Sequence, residues 1–116
     1  MTEADFRRLA LELPDTAEKS HMDHPDFRVA NKIFASLDPK HGRGMVKLAP
    51  EQQTALLAAS PDVFEPCAGA WGRSGCTYLR LAAADLPLAR EALLAAWRNT
   101  APKKILKAHD DEFPAD

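Results

Sequence analysis

Hydrophobic side chains recur along this chain with two spacings, one typical of helices and one typical of strands. The helical spacing comes first, at four apolar positions: Phe6, Leu9, Ala10 and Leu13. Thr2 supplies a hydroxyl that can cap the first turn, and Pro14 ends the apolar run. One amphipathic helix is therefore predicted between them. The polar segment that follows, residues 16–22, is predicted to form a short edge strand.

Residues 27–38 are predicted to be extended, and their second half to form one arm of a β-hairpin. Side chains of residues 32–38 alternate between two faces, and residues 43–49 alternate again after the turn residues 39–42. If Asp38 faces Arg43 across the turn, the apolar positions of the two arms meet on one face. That register predicts three cross-strand pairs: Ile33 with Leu48, Ala35 with Val46, and Phe34 with Lys47 on the opposite face.

The rest of the chain predicts a helix, a second hairpin and a last helix. Pro50 suits a first helical position, and Ser60-Pro61 ends that helix. Residues 67–72 and 76–82 are predicted as the arms of the second hairpin, with its turn at residues 73–75. Asp85 then caps a helix that runs to about Thr100.

Strands joined by tight turns must be antiparallel, so the helices can gather on one face of a single sheet. The predicted fold is an α+β two-layer sandwich with the order helix, two or three strands, helix, two strands, helix. A length of 116 residues suits one domain, which is predicted to span residues 1–104. Residues 105–116 are predicted to form a flexible acidic tail.

Composition narrows the class of protein. No apolar run approaches the roughly 18 residues that a membrane span needs. The N-terminus opens with acidic residues and is amphipathic, which is unlike a signal peptide. With only two cysteines as well, the sequence predicts a cytoplasmic protein that has no membrane partner.

Charge is distributed unevenly behind a formal net charge of −2. Residues 27–104 carry eleven basic and six acidic side chains, whereas residues 1–26 carry three and seven, and residues 105–116 carry one and four. The predicted sheet and its helices are therefore basic and the two ends acidic. The ends either project away or fold back and compete with an anionic partner.

Short motifs along nearly the whole chain, about residues 4–105, resemble the MmcQ/YjbR family of small bacterial proteins. These motifs are Phe27-Arg28-Val29, Lys32-Ile33-Phe34-Ala35, Val46-Lys47-Leu48 running into Pro50-Glu51, Trp71, Leu79-Arg80-Leu81, Ala96-Trp97-Arg98 and Pro102-Lys103-Lys104. The resemblance implies the order α-β-β-β-α-β-β-α, related to type III secretion chaperones and loosely similar to CyaY. It also implies the family's usual description, a predicted DNA-binding protein with a double-wing motif. Asn31 stands where many relatives have Gly, and Asn tolerates the same left-handed backbone.

One face of the predicted sheet is the candidate site. Strand parity places aromatic rings among lysines and arginines there, which is the equipment for stacking bases and holding phosphates. The candidate nucleic-acid-binding residues are Arg28, Lys32, Phe34, Lys47, Trp71, Arg73, Tyr78, Arg80, Lys103 and Lys104. The alternative is a solvated face, or one covered by the acidic tail or by a dimer partner. An isoelectric point near 6.1 counts against a dedicated nucleic-acid-binding domain.

The sequence gives no recognisable pattern for metal binding, a disulfide bond or catalysis. His21, Asp23 and His24, with Glu18 upstream and His41 elsewhere, lack the spacing of known zinc sites, so neither metal nor cofactor is predicted. Either register of the predicted second hairpin offsets Cys67 from Cys76 too far for a disulfide bond. Phosphate-binding loops and nucleophile elbows are missing from the sequence.

Three hypotheses remain from different classes. The first is a non-enzymatic module that binds DNA or RNA through the basic and aromatic face. The second is a protein-interaction or chaperone-like module, or a homodimer, that uses the same face or the helical layer. The third is an enzyme or small-ligand binder whose site the sequence does not reveal.

Overall fold

The computed structural model describes residues 1–109, which form five helices, a short 3-10 turn at Pro39–His41 and six strands. The helices are α1 Glu3–Leu11, α2 Pro50–Ala59, α3 Gly69–Arg73, α4 Leu86–Thr100 and α5 Lys103–Ala108. The strands are β1 Thr16–His21, β2 His24–Val29, β3 Lys32–Asp38, β4 Arg43–Lys47, β5 Phe64–Pro66 and β6 Cys76–Arg80.

The six strands form one antiparallel sheet in the order β1-β2-β3-β4-β6-β5. Helix α4 packs across β3 and β4 and against α1, and the core lies between these helices and the sheet. Trp97 is buried at the centre of this layer, and its indole N–H donates to the Pro14 carbonyl at 3.0 Å. The predicted α+β class and antiparallel sheet are confirmed, and β1 is at the edge as predicted.

Helix α1 begins where the sequence predicts, because a capping box fixes its first turn. The Thr2 hydroxyl accepts from the Asp5 N–H at 3.1 Å, and the Asp5 carboxylate accepts from the Thr2 N–H at 2.9 Å. Phe6, Leu9 and Ala10 then face the core. The helical spacing of the apolar residues therefore reflects one buried stripe.

The first predicted hairpin has the expected register, with Asp38 opposite Arg43 and Ala35 opposite Val46. Residues 27–38, however, form parts of two strands rather than one arm. The chain reverses at Ala30 and Asn31, whose φ angles are 50° and 64°. The left-handed backbone expected at Asn31 is present, but it makes a tight turn and adds a strand to the predicted order.

Phe34 is wrongly placed on the outer face by strict alternation. In the ladder between β2 and β3, Phe27 faces Ala35 and Arg28 faces Ile33, so Phe34 is an extra residue without a partner. Such a bulge turns two successive side chains towards the same face. Phe34 is consequently fully buried in the core, whereas Ile33, predicted to point inward, is only half-buried. Lys32, predicted on the outer face, is instead opposite the core residue Val29 and so lies on the helix side of the sheet.

The predicted second hairpin is also wrong in its first arm. Strand β5 ends at Pro66, and residues 69–73 form the short helix α3, which carries Trp71. Gln53 supports this arrangement, because its side-chain amide donates to the Gly72 and Cys76 carbonyls at 2.9 and 3.1 Å. A glutamine from α2 thus satisfies backbone acceptors beside β6, and no sequence pattern predicts that long-range contact.

The first residues of the predicted tail belong to a helix. Residues 103–108 form α5, and Ile105 and Leu106 pack against the core. The remainder of the predicted tail, residues 110–116, lies outside the described residues. Among the helices of residues 1–109, none is both long enough and apolar enough to cross a bilayer.

Candidate nucleic-acid interface

The outer face of the sheet is the one that points away from α1 and α4. The strand registers bring one row of residues across it: Lys19, Asp26, Ser36, Met45, Tyr78 and Glu65. Neighbouring rows add Arg43 beside Arg80, and Lys47 beside Cys76. The face is therefore rich in charge, and the positions of acids and bases decide what it can bind.

Asp26 is the most buried of these charged groups, with no exposed side-chain surface. Arg28 donates to both of its carboxylate oxygens, at 2.8 and 3.1 Å, and the His21 ring approaches Oδ2 at 2.7 Å. These hydrogen bonds lower the pKa of Asp26, and the contribution of Arg28 is the largest. Burial acts in the opposite direction and is outweighed. Arg28 is accordingly held in one position by its own carboxylate.

Asp38 and Arg43 form a second pair beside Tyr78. The Arg43 Nε donates to Asp38 at 3.0 Å, and its guanidinium lies 3.6 Å from the centre of the Tyr78 ring. Burial opposes ionisation of Asp38, but hydrogen bonds from His41 and Arg43 outweigh it and lower the pKa. Burial raises the pKa of Tyr78, which stays neutral at physiological pH. One face of the Tyr78 ring is thus occupied by Arg43.

Arg80, a predicted site residue, is also engaged within the chain. It lies 3.4 Å from Glu65 and donates to the Asp62 carbonyl at 3.2 Å. Its side chain remains 45% exposed, so this pair is a weak, solvent-screened one. Arg80 is therefore paired within the chain, and it lines neither of the two clefts described next.

Three predicted cations do converge, in what we call the basic cleft. Arg28, Lys32 and Lys47 line it, where β4 ends beside the last residues of α4. Asn31, Ile33, Asn99 and Thr100 complete its wall, and its volume is about 490 Å³. The Asn99 amide donates to the Lys47 carbonyl at 3.1 Å and so ties α4 to the end of β4. Partial negative charge at the C-terminal end of α4 helps to hold the cations close together.

The second feature, which we call the tryptophan cleft, adjoins the first. It is lined by Lys47, Leu48, Trp71, Ser74 and Cys76. Trp71 leaves 71% of its surface exposed, far more than is usual for so large an apolar side chain. Lys47 lines both clefts and is the residue that they share. We define the cationic strip as Arg28, Lys32, Lys47 and Trp71.

The structure thus joins four of the ten predicted site residues. Arg73 is exposed on α3 near Trp71, whereas Tyr78 and Arg80 lie on the outer face in intramolecular contacts. Lys103 and Lys104 are exposed on α5, just after the α4 end of the basic cleft. Phe34 is in the core and cannot take part.

Sequence reasoning missed Asn31 and Asn99 as residues of the basic cleft. Asn31 could have been found from its place in a turn between two basic positions. Asn99 could not, because it reaches Lys47 through a contact between residues 52 positions apart.

A comparison with family models gives a match over residues 11–99, to the model described as YjbR. The chain belongs to the YjbR family. The family match confirms the resemblance that the sequence motifs indicate. The fold of the chain is also consistent with that of a solved relative. A search of the curated proteins finds no match.

The YjbR fold is supported by the crystal structure of Deinococcus radiodurans protein DR2400, which has a DUF419 domain. The two structures superpose with a TM-score of 0.75 at 23% sequence identity. The match covers 96% of this chain and 86% of the other. At that identity the likeness concerns the fold alone and assigns no role to the cationic strip.

A third concavity of the YjbR chain, the thiol cleft, lies on the outer face between β2 and α3. Cys67, Cys76, His21, His24 and Tyr78 are among the residues that line it. The Cys67 N–H donates to the Cys76 carbonyl at 2.9 Å. The two cysteines are therefore directly opposite each other, and the predicted offset between them is wrong, because β5 pairs with β6 in a different register. Within residues 1–109, no three His, Cys, Asp or Glu side chains are grouped so as to hold a metal ion.

Proposed function

We propose that this YjbR chain is a non-enzymatic module that binds single-stranded nucleic acid, DNA or RNA, along the cationic strip. The observation that carries the proposal is the position of Lys47, which lines the basic cleft and the tryptophan cleft at once. A phosphate in the basic cleft would meet Arg28 and Lys32 as well. The next base could then stack on the exposed ring of Trp71.

A single strand suits this surface better than a duplex. Stacking on Trp71 requires a base whose face is free, and bases inside a duplex are already stacked. The strip is also short, so it would contact only a few nucleotides. With a net charge of −2 on the whole protein, affinity should be modest and should depend strongly on salt.

The test is a fluorescence-anisotropy titration of labelled single-stranded DNA, single-stranded RNA and duplex DNA over a range of salt concentrations. For the wild type, the logarithm of affinity should fall linearly with the logarithm of salt concentration. Lys47→Glu should lower affinity for every single strand, and neutralising one phosphate contact reduces the salt slope by about 0.7. Trp71→Ala should cost about 1–3 kcal/mol of binding free energy with little change in slope.

Lys40→Glu is the matched control for charge. Lys40 is an exposed lysine in the turn Pro39–His41 and does not line either cleft of the strip. Its substitution makes the same change in net charge, so it should leave most of the affinity intact. Equal losses in Lys40→Glu and Lys47→Glu would show that the strip has no special role, and the proposal would fail.

The protein-interaction hypothesis draws on the same exposed ring of Trp71. Sedimentation velocity of the wild type and Trp71→Ala separates the two proposals. The wild type would then form a concentration-dependent dimer, and Trp71→Ala would abolish that dimer without changing nucleic-acid affinity. This result would favour a homodimer interface over the nucleic-acid role.

A further inference from the structure

Cys67 and Cys76 are placed side by side by the pairing of β5 with β6. Pro66 is the partner of Thr77, so the next pair along the ladder is Cys67 with Cys76. The hydrogen bond from the Cys67 N–H to the Cys76 carbonyl, at 2.9 Å, confirms that position. Hydrogen-bonded partners in antiparallel strands have Cα atoms about 5.5 Å apart and side chains on the same face. Disulfide bonds join Cα atoms at that separation.

The two thiols differ in exposure. Both are free, but Cys67 is buried, whereas Cys76 is half-buried and lines both the thiol cleft and the tryptophan cleft. Cys67 lines only the first of these. Cys76 therefore borders two clefts that a small solute can enter, and Cys67 borders one.

They also differ in acidity. The Cys67 thiol donates a hydrogen bond to the Cys76 sulfur, which lowers the pKa of Cys76, and the positive charge of Lys47 lowers it further. The ladder places Lys47 directly opposite Cys76 on β4. The same hydrogen bond, together with burial, raises the pKa of Cys67. Thiolate character and access together decide which cysteine is oxidised first, and both favour Cys76.

We propose that Cys67 and Cys76 form a two-thiol site that is oxidised reversibly by hydroperoxides, with Cys76 as the attacking thiol and Cys67 as the resolving thiol. The Cys76 thiolate attacks one oxygen of hydrogen peroxide, the O–O bond breaks, and the departing hydroxide takes up a proton to become water. Cys76 becomes a sulfenic acid. The Cys67 sulfur then attacks the Cys76 sulfur and loses its proton, the S–O bond breaks, and a second water leaves. Two thiols are oxidised to one disulfide, and one peroxide is reduced to two waters.

The site is independent of the nucleic-acid proposal, because it needs only the two thiols and a small oxidant. The tryptophan cleft, with a volume of about 150 Å³, is large enough to admit hydrogen peroxide to the Cys76 sulfur. Lys47 borders it and offers positive charge to the departing hydroxide.

Intact-mass spectrometry of the full chain, treated with hydrogen peroxide, tests the proposal. The wild type should lose two hydrogen atoms, remain monomeric, stop reacting with N-ethylmaleimide and recover its mass with dithiothreitol. In Cys67→Ser, the sulfenic acid should persist on Cys76 and be trapped by dimedone. In Cys76→Ser, the Cys67 thiol should be oxidised at least about tenfold more slowly. Equal rates in the two variants, or disulfide-linked dimers as the main wild-type product, would overturn the proposal.

A second measurement needs only the wild-type protein. The proposal can therefore still be refuted if one of the cysteine variants fails to fold. With limiting N-ethylmaleimide, peptide mapping should find the label on Cys76 well before Cys67. In urea the two sites should be labelled at similar rates, because the fold no longer separates them. Preferential labelling of Cys67 in the folded protein would contradict the assigned roles.

Discussion

At the scale of one residue, Asp26 shows how a buried charge is stabilised on the outer face of the sheet. A fully buried carboxylate would normally be costly, yet here Arg28 and His21 supply hydrogen bonds to it. The same contacts fix the direction of the Arg28 side chain, which lines the basic cleft. Asp26 therefore positions one cation of the cationic strip without reaching the strip itself.

Replacing Asp26 with Asn should lower the free energy of unfolding by about 1.5–3 kcal/mol at neutral pH, since hydrogen bonds to a charged group are lost. Its folded pKa is lower than the ordinary value of 3.8. The ionised group therefore stabilises the fold fully above about pH 4, and its contribution disappears as the pH falls through the folded pKa. Urea unfolding at several pH values should show the wild type and the variant converging in acid.

Asp23→Asn is the matched control, because Asp23 is exposed in the turn between β1 and β2, at a φ of 66° that Asn accepts. It should change stability by less than about 0.5 kcal/mol at any pH. A stability gap between wild type and Asp26→Asn that stays constant down to pH 2 would contradict the assigned role of the Asp26 charge.

Phe34 shows, at the same scale, where sequence reasoning fails. Alternation along β3 correctly placed Ala35 opposite Val46, yet it put Phe34 on the wrong face. The bulge that reverses Phe34 is a property of the pairing between β2 and β3, and that pairing requires the turn at Ala30-Asn31. A local sequence pattern predicts how side chains alternate along one strand. It does not predict a bulge, because a bulge depends on the pairing with a neighbouring strand.

At the scale of elements, α3 is the segment that was predicted least well from the sequence. Gly75 makes it possible to pass from α3 into β6. Its φ of 111° strains any residue with a side chain, and a Cβ atom there would strike the Leu48 carbonyl oxygen. The segment was predicted as a hairpin because its turn residues and flanking apolar residues fit one. What decides otherwise is the support from α2, whose Gln53 satisfies the carbonyls of Gly72 and Cys76.

Gly75→Ala should therefore destabilise the protein by about 3 kcal/mol or more, because backbone strain and a clash act together. Thermal unfolding followed by circular dichroism measures the loss. Gly42→Ala is the control for backbone strain alone. Gly42 also has a positive φ, 61°, but nothing lies within 4 Å of its would-be Cβ atom. It should cost only about 1 kcal/mol, and an equal loss in both variants would mean that the close approach to Leu48 is unimportant.

At the scale of the whole molecule, the sequence predicts more than it does at the scale of single contacts. Fold class, antiparallel pairing and family all follow from periodicity and motif order, which are spread over the entire chain. The candidate site follows only in part. Parity correctly put Lys47 on the outer face, but the bulge turns Lys32 to the opposite face, where its partner is the core residue Val29. The convergence of Arg28, Lys32 and Lys47 depends on how the end of β4 meets the end of α4. That is a tertiary contact with no local signal.

Charge acts over the whole molecule as well, because the strip belongs to a protein whose net charge is negative. The sequence places Asp110, Asp111 and Glu112 directly after His109, at the end of α5. Helix α5 has six residues, a length of about 9 Å, and begins three positions after Thr100 of the basic cleft. The screening length in 0.1 M salt is about 10 Å, so an effect of these acids on the strip is expected to be strongest at low salt.

Neutralising the three acids, as Asp110→Asn, Asp111→Asn and Glu112→Gln, should raise affinity for single-stranded nucleic acid about two- to tenfold at low salt. The gain should shrink as salt is added, and anisotropy titrations at two salt concentrations measure it. The control variant neutralises three exposed acids elsewhere: Glu51→Gln, Asp62→Asn and Glu91→Gln. Both variants change the net charge equally, so a larger gain from the first identifies a local effect of those acids on the strip. Equal gains would mean that only total charge matters, and no gain in either would argue that the strip does not bind polyanions.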